Sequence, residues 1–99
     1  MNTYRLWPNG EVPYVISSKF SSHERSIINL AVAEMARVSC VRWRPRSNDK
    51  DYVHILKDYG CYSRVGKTGG AQVLSLGEHV QYKLSYVYLF LVIGQCLAF

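Results

Sequence analysis

Apolar and polar positions along the 99-residue chain follow first a period of two, then a helical spacing, then a period of two again. VPYVIS (Val12 to Ser17) is short and rich in β-branched and aromatic residues, which suits a strand. Pro13 near its start suits an edge or first-residue position, because proline has no N–H for a ladder. A Pro8-Asn9-Gly10 turn precedes it. Ser21 with Glu24 three residues on forms a capping-box signature, and Phe20 just before the cap can staple the first turn. Beyond it Ile28, Ala31, Met35 and Val38 recur at helical spacing, widened by Ile27 and Val32. Glu24, Arg25, Glu34 and Arg37 fall largely on the other side. The pattern predicts an amphipathic helix from Ser22 to Val38, packed on a sheet.

CVRWRPR (Cys40 to Arg46) reads as a strand ended by Pro45, SNDKD (Ser47 to Asp51) as a polar turn, and YVHIL (Tyr52 to Leu56) as the next strand. YGCYSRVGKTGGAQVLSLG (Tyr59 to Gly77) passes through a bend at Gly66, Gly69 and Gly70 into the alternating run Ala71 to Leu76. A short strand after such a bend is a candidate sheet edge, and an unpaired edge can hydrogen-bond an extended peptide as an added strand. The competing reading is an ordinary hairpin corner. The order of elements predicts an α+β fold: a mixed twisted sheet of four to five strands against one long amphipathic helix.

From Glu78 the pattern breaks. Glu78 to Lys83 is polar, and LSYVYLFLVIGQCLAF (Leu84 to Phe99) is apolar with neither clear alternation nor helical period. Its uninterrupted stretch from Val87 to Ile93 is short of the ~20 residues that span a bilayer. A buried strand, a membrane-associated tail and an aggregation-prone segment all fit it. The chain therefore divides into residues 1–77, a sheet-and-helix unit, and residues 78–99, an unrelated apolar tail.

Composition and charge change this picture little. The formal charge of +5 invites a nucleic-acid reading. Only Arg42, Arg44 and Arg46 cluster, though, and at strand period they share one face, with Val41, Trp43 and Pro45 on the other. A solvated strand face explains them, and no nucleic-acid partner is expected. The three cysteines, Cys40, Cys61 and Cys96, cannot all pair within the chain, and no C-x-x-C spacing points to zinc or redox chemistry. The opening MNTYRLWPNG lacks a charged region followed by an apolar one, so no signal peptide is expected in it and the compartment is left open.

Candidate chemistry is sparse. His23, His54 and His79 stand in a helix turn, a strand and the tail, and none is at the H-E-x-x-H spacing that sets two imidazoles one helical turn apart. No serine-based constellation carries a local signature. The residues alone predict no catalysis.

Four segments in order and spacing carry a resemblance: RLWPNGEVPYVIS (Arg5 to Ser17), the helix ending in VSC (Val38 to Cys40), VRWRPRSNDKDYVHI (Val41 to Ile55) and GCYSRVGKTGGAQVLSLG (Gly60 to Gly77). Together they resemble the start of the catalytic domain of astacin-type zinc metalloendopeptidases, most of all the fish hatching-enzyme (choriolysin) branch. The resemblance implies a secreted zinc protease acting on peptide or protein substrates. It also implies an upper subdomain of twisted, mostly parallel sheet whose first long helix corresponds to Ser22–Val38. It puts the substrate-aligning edge on Ala71, Gln72, Val73, Leu74 and Ser75. It further implies that Cys40 and Cys61 are half-cystines whose family partners are absent here, leaving Cys96 as a substitute for either.

The departures follow Gly77, where the family continues into H-E-x-x-H-x-x-G-x-x-H, a Met-turn and a tyrosine, and this chain reads EHVQYKLSYVYLFLVIGQCLAF. Tyr62 stands where the family often has Trp. The expectation is a truncated astacin-type fragment holding the substrate edge, with zinc a family property that this chain does not bind, and inactive alone. The alternative is a non-catalytic peptide-binding module acting through residues 71–75.

Overall fold

The computed structural model describes residues 6–64, 66–78 and 80. A short 3-10 turn at Pro8–Gly10 leads into β1 (Glu11–Ile16), followed by α1 (Ser22–Val38), β2 (Arg42–Pro45), β3 (Tyr52–Leu56), β4 (Cys61–Ser63) and β5 (Ala71–Leu76). The five strands form one sheet in the order β2-β1-β3-β5-β4. Pairs β1–β2, β1–β3 and β3–β5 are parallel, and β4–β5 is antiparallel. The fold is the expected α+β layer of one helix on a mixed sheet.

The helix has the expected bounds for the expected reason. Ser21 sits in extended backbone and its hydroxyl accepts from the Glu24 N–H at 3.1 Å, while the Ser21 N–H donates to the Glu24 carboxylate at 2.8 Å. Two of the amides that a helix start leaves without intrahelical partners are satisfied this way. Glu24 also pairs with Lys57 at 2.9 Å, tying the first turn to the end of β3. Ile28, Ala31 and Met35 are fully buried and join Val12, Trp43, Val53, Ile55, Leu74 and Leu76 in a single core. Each large aliphatic side chain removed from water there contributes about 1.5–3 kcal/mol.

Two expectations about edges change. Pro13 lies in β1, which is interior, between β2 and β3. The Ser17 N–H donates to the Ile55 carbonyl, so odd-numbered residues of this segment turn their N–H groups toward β3, yet the β1–β3 ladder starts only at Tyr14. The missing N–H of Pro13 therefore falls just before that ladder and breaks none of it. Of the expected edge Ala71–Ser75, Leu74 and Ser75 lie one strand in from the rim, whereas Ala71 to Val73 have no strand on their outer side among the described residues. The Gly-rich bend folds the chain back so that Cys61, Tyr62 and Ser63 pair with Leu76, Ser75 and Leu74. The outermost strand on that side is β4, which the hydrophobic pattern does not mark because it is three residues long.

Candidate functional site

The candidate site is the β4–β5 side of the sheet with the turn before β4. Within β5, Gln72, Leu74 and Ser75 are buried, while Ala71 and Val73 face outward. Only Leu74, Ser75 and Leu76 of β5 pair with β4, so the sheet narrows to β5 over Ala71 to Val73. No strand among the described residues pairs with the outer side of β4. Its N–H and C=O groups on that side face outward, as they do on any rim strand.

Four polar clamps hold this rim in place. The Asp51 carboxylate accepts from the Gly70 N–H at 2.6 Å and from Lys67 Nζ at 3.3 Å. The Gly70 N–H, and then Lys67, hold its pKa below the ordinary carboxylate range. The Gln72 side chain reaches back into the bend, donating to the Gly66 carbonyl at 3.0 Å and accepting from the Thr68 N–H at 3.0 Å. At the other end Ser75 Oγ donates to the Gly60 carbonyl at 2.8 Å and accepts from the Gly77 N–H at 3.2 Å. Asp58, in the turn before β4, accepts from the Tyr62 hydroxyl at 2.6 Å and the Tyr59 N–H at 2.8 Å. That pairing lowers the pKa of Asp58 and raises that of Tyr62. Tyr59 itself is 85% exposed beside a depression lined by Lys57, Asp58 and Glu78.

The sequence singled out Gln72 and Ser75 as edge backbone. The structure gives the Gln72 side chain the task of anchoring the bend and the Ser75 side chain that of holding the turn at Gly60. Asp51 and Asp58 went unnoticed, because an Asp in a polar turn looks the same whether or not an amide nineteen residues away reaches it. His54 lies on β3 between Val15 and Val73, His23 lies exposed in the first turn of α1, and His79 lies outside the described residues. Cys40 is disulfide-bonded and Cys61 carries a free thiol, whereas Cys96 and the apolar run Leu84 to Phe99 lie outside the described residues. Of the three arginines, Arg44 is held by Asp49 at 2.6 Å and Glu11 at 2.9 Å, which accounts for one of them structurally.

A parallel sheet with one antiparallel rim strand and a helix on one face is a geometry that known proteins share. The family model described as Astacin, a peptidase family, matches residues 1–87. The chain belongs to the astacin family. Zinc metalloproteinase nas-15 of Caenorhabditis elegans is 53% identical over 78 residues, which is 78% of this chain and 14% of the relative. Zinc metalloproteinase nas-13 of the same organism is 47% identical over 77 residues, 77% of this chain and 17% of the relative. The solved structure of high choriolytic enzyme 1, a hatching enzyme zinc-protease from Oryzias latipes, superposes with a TM-score of 0.81 at 31% identity. It covers 91% of this chain and 47% of that one. The chain thus spans less than a fifth of these two curated astacin relatives and about half of the solved astacin chain.

Astacins are zinc-dependent metalloproteases, so the donor set of this astacin chain can be tested against the metal. Tetrahedral zinc takes three or four converging His, Cys or carboxylate ligands. Among the described residues no group of three or more such side chains converges. The 99 residues also contain no H-E-x-x-H. The described residues do not fit a zinc ion, and no catalytic step is derived through one.

Proposed function

We propose that this chain is the peptide-holding part of an astacin-type metalloprotease domain, and that by itself it holds an extended peptide without hydrolysing it. The observation that carries the reading is the outer side of β4, which no strand among the described residues pairs, on a rim strand fixed from behind by Ser75, Gln72 and Asp58. An extended peptide adds to such a rim through main-chain hydrogen bonds, at little ordering cost to a strand already clamped. The residues first assigned to docking, Ala71, Gln72, Val73, Leu74 and Ser75, then act from the second row, with Ala71 and Val73 exposed where β4 ends. Hydrolysis needs a metal or another electrophile to polarise the carbonyl, and a base to move the proton from water. No group of three or more side chains that could hold the metal converges among the described residues.

The test has two arms. With purified chain and zinc in excess, casein hydrolysis above the no-enzyme rate that a chelator abolishes would overturn the inactive half of the proposal. The Tyr52 N–H donates to the Gly70 carbonyl, so Ser75 turns its main-chain groups toward Tyr62 and the N–H groups of Cys61 and Ser63 point outward. Ser63→Pro removes one of these outward donors, and saturable binding of an extended peptide is expected to weaken by about tenfold. Binding indifferent to that change would reject the rim.

A further inference from the structure

The sheet has a second face, and its composition differs from that of the rim. The core residues Val12, Trp43, Val53, Ile55, Leu74 and Leu76 share their side of the sheet with α1. Strand alternation sends Pro13, Val15, Tyr52, His54, Ala71 and Val73 to the opposite side. In register, Val15 lies beside His54 and His54 beside Val73. The Arg46 N–H donates to the Tyr14 carbonyl, which continues the β1–β2 ladder and sets Arg46 next to Val15. One row therefore crosses the sheet as Arg46, Val15, His54, Val73, three strand spacings or about 14 Å. Val15 is 36% and Val73 39% exposed, an open apolar stripe on a face that α1 does not cover.

Charge on this face is one-sided. Glu11 and Asp49 are both taken by Arg44, and Asp51 by Lys67. Arg42 and Arg46 are exposed and neither forms an ion pair with a described carboxylate. Arg46 is also pre-positioned: its guanidinium lies 4.0 Å from the centre of the Tyr52 ring, and its Nε donates to the Asp49 carbonyl at 2.9 Å. A guanidinium stacked in this way loses little freedom on accepting a carboxylate partner.

We propose that this open face is a docking surface for an acidic polypeptide segment, which lays apolar side chains across Val15, His54 and Val73 and sets carboxylates on Arg42 and Arg46. Charge complementarity selects an acidic partner, because these two cations at the β2 border have no carboxylate among the described residues and the nearby carboxylates are engaged elsewhere. A nucleic acid fits less well. Sheets that read single strands present bare aromatic faces for base stacking, whereas here the centre is aliphatic and Arg46 already covers the Tyr52 ring. The surface is separate from the β4 rim and does not depend on peptide pairing there.

The full chain would be titrated against three labelled probes: a peptide alternating Leu and Glu, the same peptide with Lys in place of Glu, and an oligothymidine strand. The Leu/Glu peptide is expected to bind saturably and more weakly with added salt, with the Leu/Lys peptide at least tenfold weaker. The double variant R42Q/R46Q, and separately V15S, are expected to weaken Leu/Glu binding by about fivefold to tenfold. Both change exposed side chains, and their far-UV circular dichroism should match the parent. S63P on the rim should leave this binding unchanged. Equal binding of the Leu/Lys peptide, tighter binding of oligothymidine, or Leu/Glu affinity unmoved by R42Q/R46Q overturns the proposal. So does an equal loss in S63P, which assigns the binding to the rim instead.

Discussion

Gly10 carries a tight steric demand. It enters β1 at φ +64°, and a Cβ built there would lie 2.9 Å from the Cys40 carbonyl oxygen, a backbone atom that cannot swing away. Gly77, at φ +75°, has a softer neighbour, since the Cys61 sulfur would lie 3.3 Å from its Cβ and belongs to a side chain. The two substitutions should therefore differ. Gly77→Ala incurs mainly the left-handed backbone cost of about 1–2 kcal/mol. Gly10→Ala adds a backbone clash, so its loss by urea denaturation should be clearly the larger. The turn signal at Pro8-Asn9-Gly10 marks a glycine preference there. That Gly10 faces Cys40 is decided by the packing of two segments thirty residues apart.

Among the elements, β2 illustrates how charge organises a rim. Its central arginine, Arg44, bridges Glu11 at the start of β1 and Asp49 in the turn that follows β2. First the Arg44 guanidinium and then the Ser47 N–H hold the Asp49 pKa at about 2, against an ordinary value of 3.8. A carboxylate depressed on folding contributes stability that is complete above its unfolded pKa and disappears as pH falls through its folded one. Stability should hold above about pH 4 and decline between about pH 4 and pH 2. Asp49→Asn should flatten part of that decline and lower stability at neutral pH, as read from melting temperature across an acid series. Because Asp49 is in contact with solvent, added salt should narrow the difference. The helix was fully legible in sequence, since one capping box and three buried positions at helical spacing agree. Strand β4 was not, because three residues cannot display a period. For that reason the sequence does not show that β4 covers Leu74 and Ser75, the second half of the expected edge.

For the whole molecule, the question is what a sheet and one helix can do within an astacin domain. The core is continuous across all the strands that α1 and the sheet interior bury, and Val80 packs against it from beyond β5. Since the described residues gather no metal-binding set, the stability of this chain should be independent of zinc. Melting temperatures with excess zinc and with excess EDTA should agree within about a degree, because a ligand stabilises only the state that binds it. A rise on adding zinc would show a site assembled by this chain after all. Among the described residues, the main-chain rim at β4 lies apart from the row Arg46, Val15, His54 and Val73 that crosses β2, β1, β3 and β5.

What the amino-acid sequence determined by itself was local or cumulative. The cap at Ser21, the helix period, the run YVHIL and four motifs in register suffice for the fold class and the family, because each depends on neighbours in the chain. What tertiary structure decided depends on strand order. The position of β5 behind β4, the harmless place of Pro13 inside the sheet, the clamp from Asp51 to Gly70 and the row from Arg46 to Val73 all join residues whose separation in sequence says nothing of their separation in space. Hydrophobic pattern specifies which face of a strand is buried. Which strand stands beside which is settled only when the sheet closes over its core.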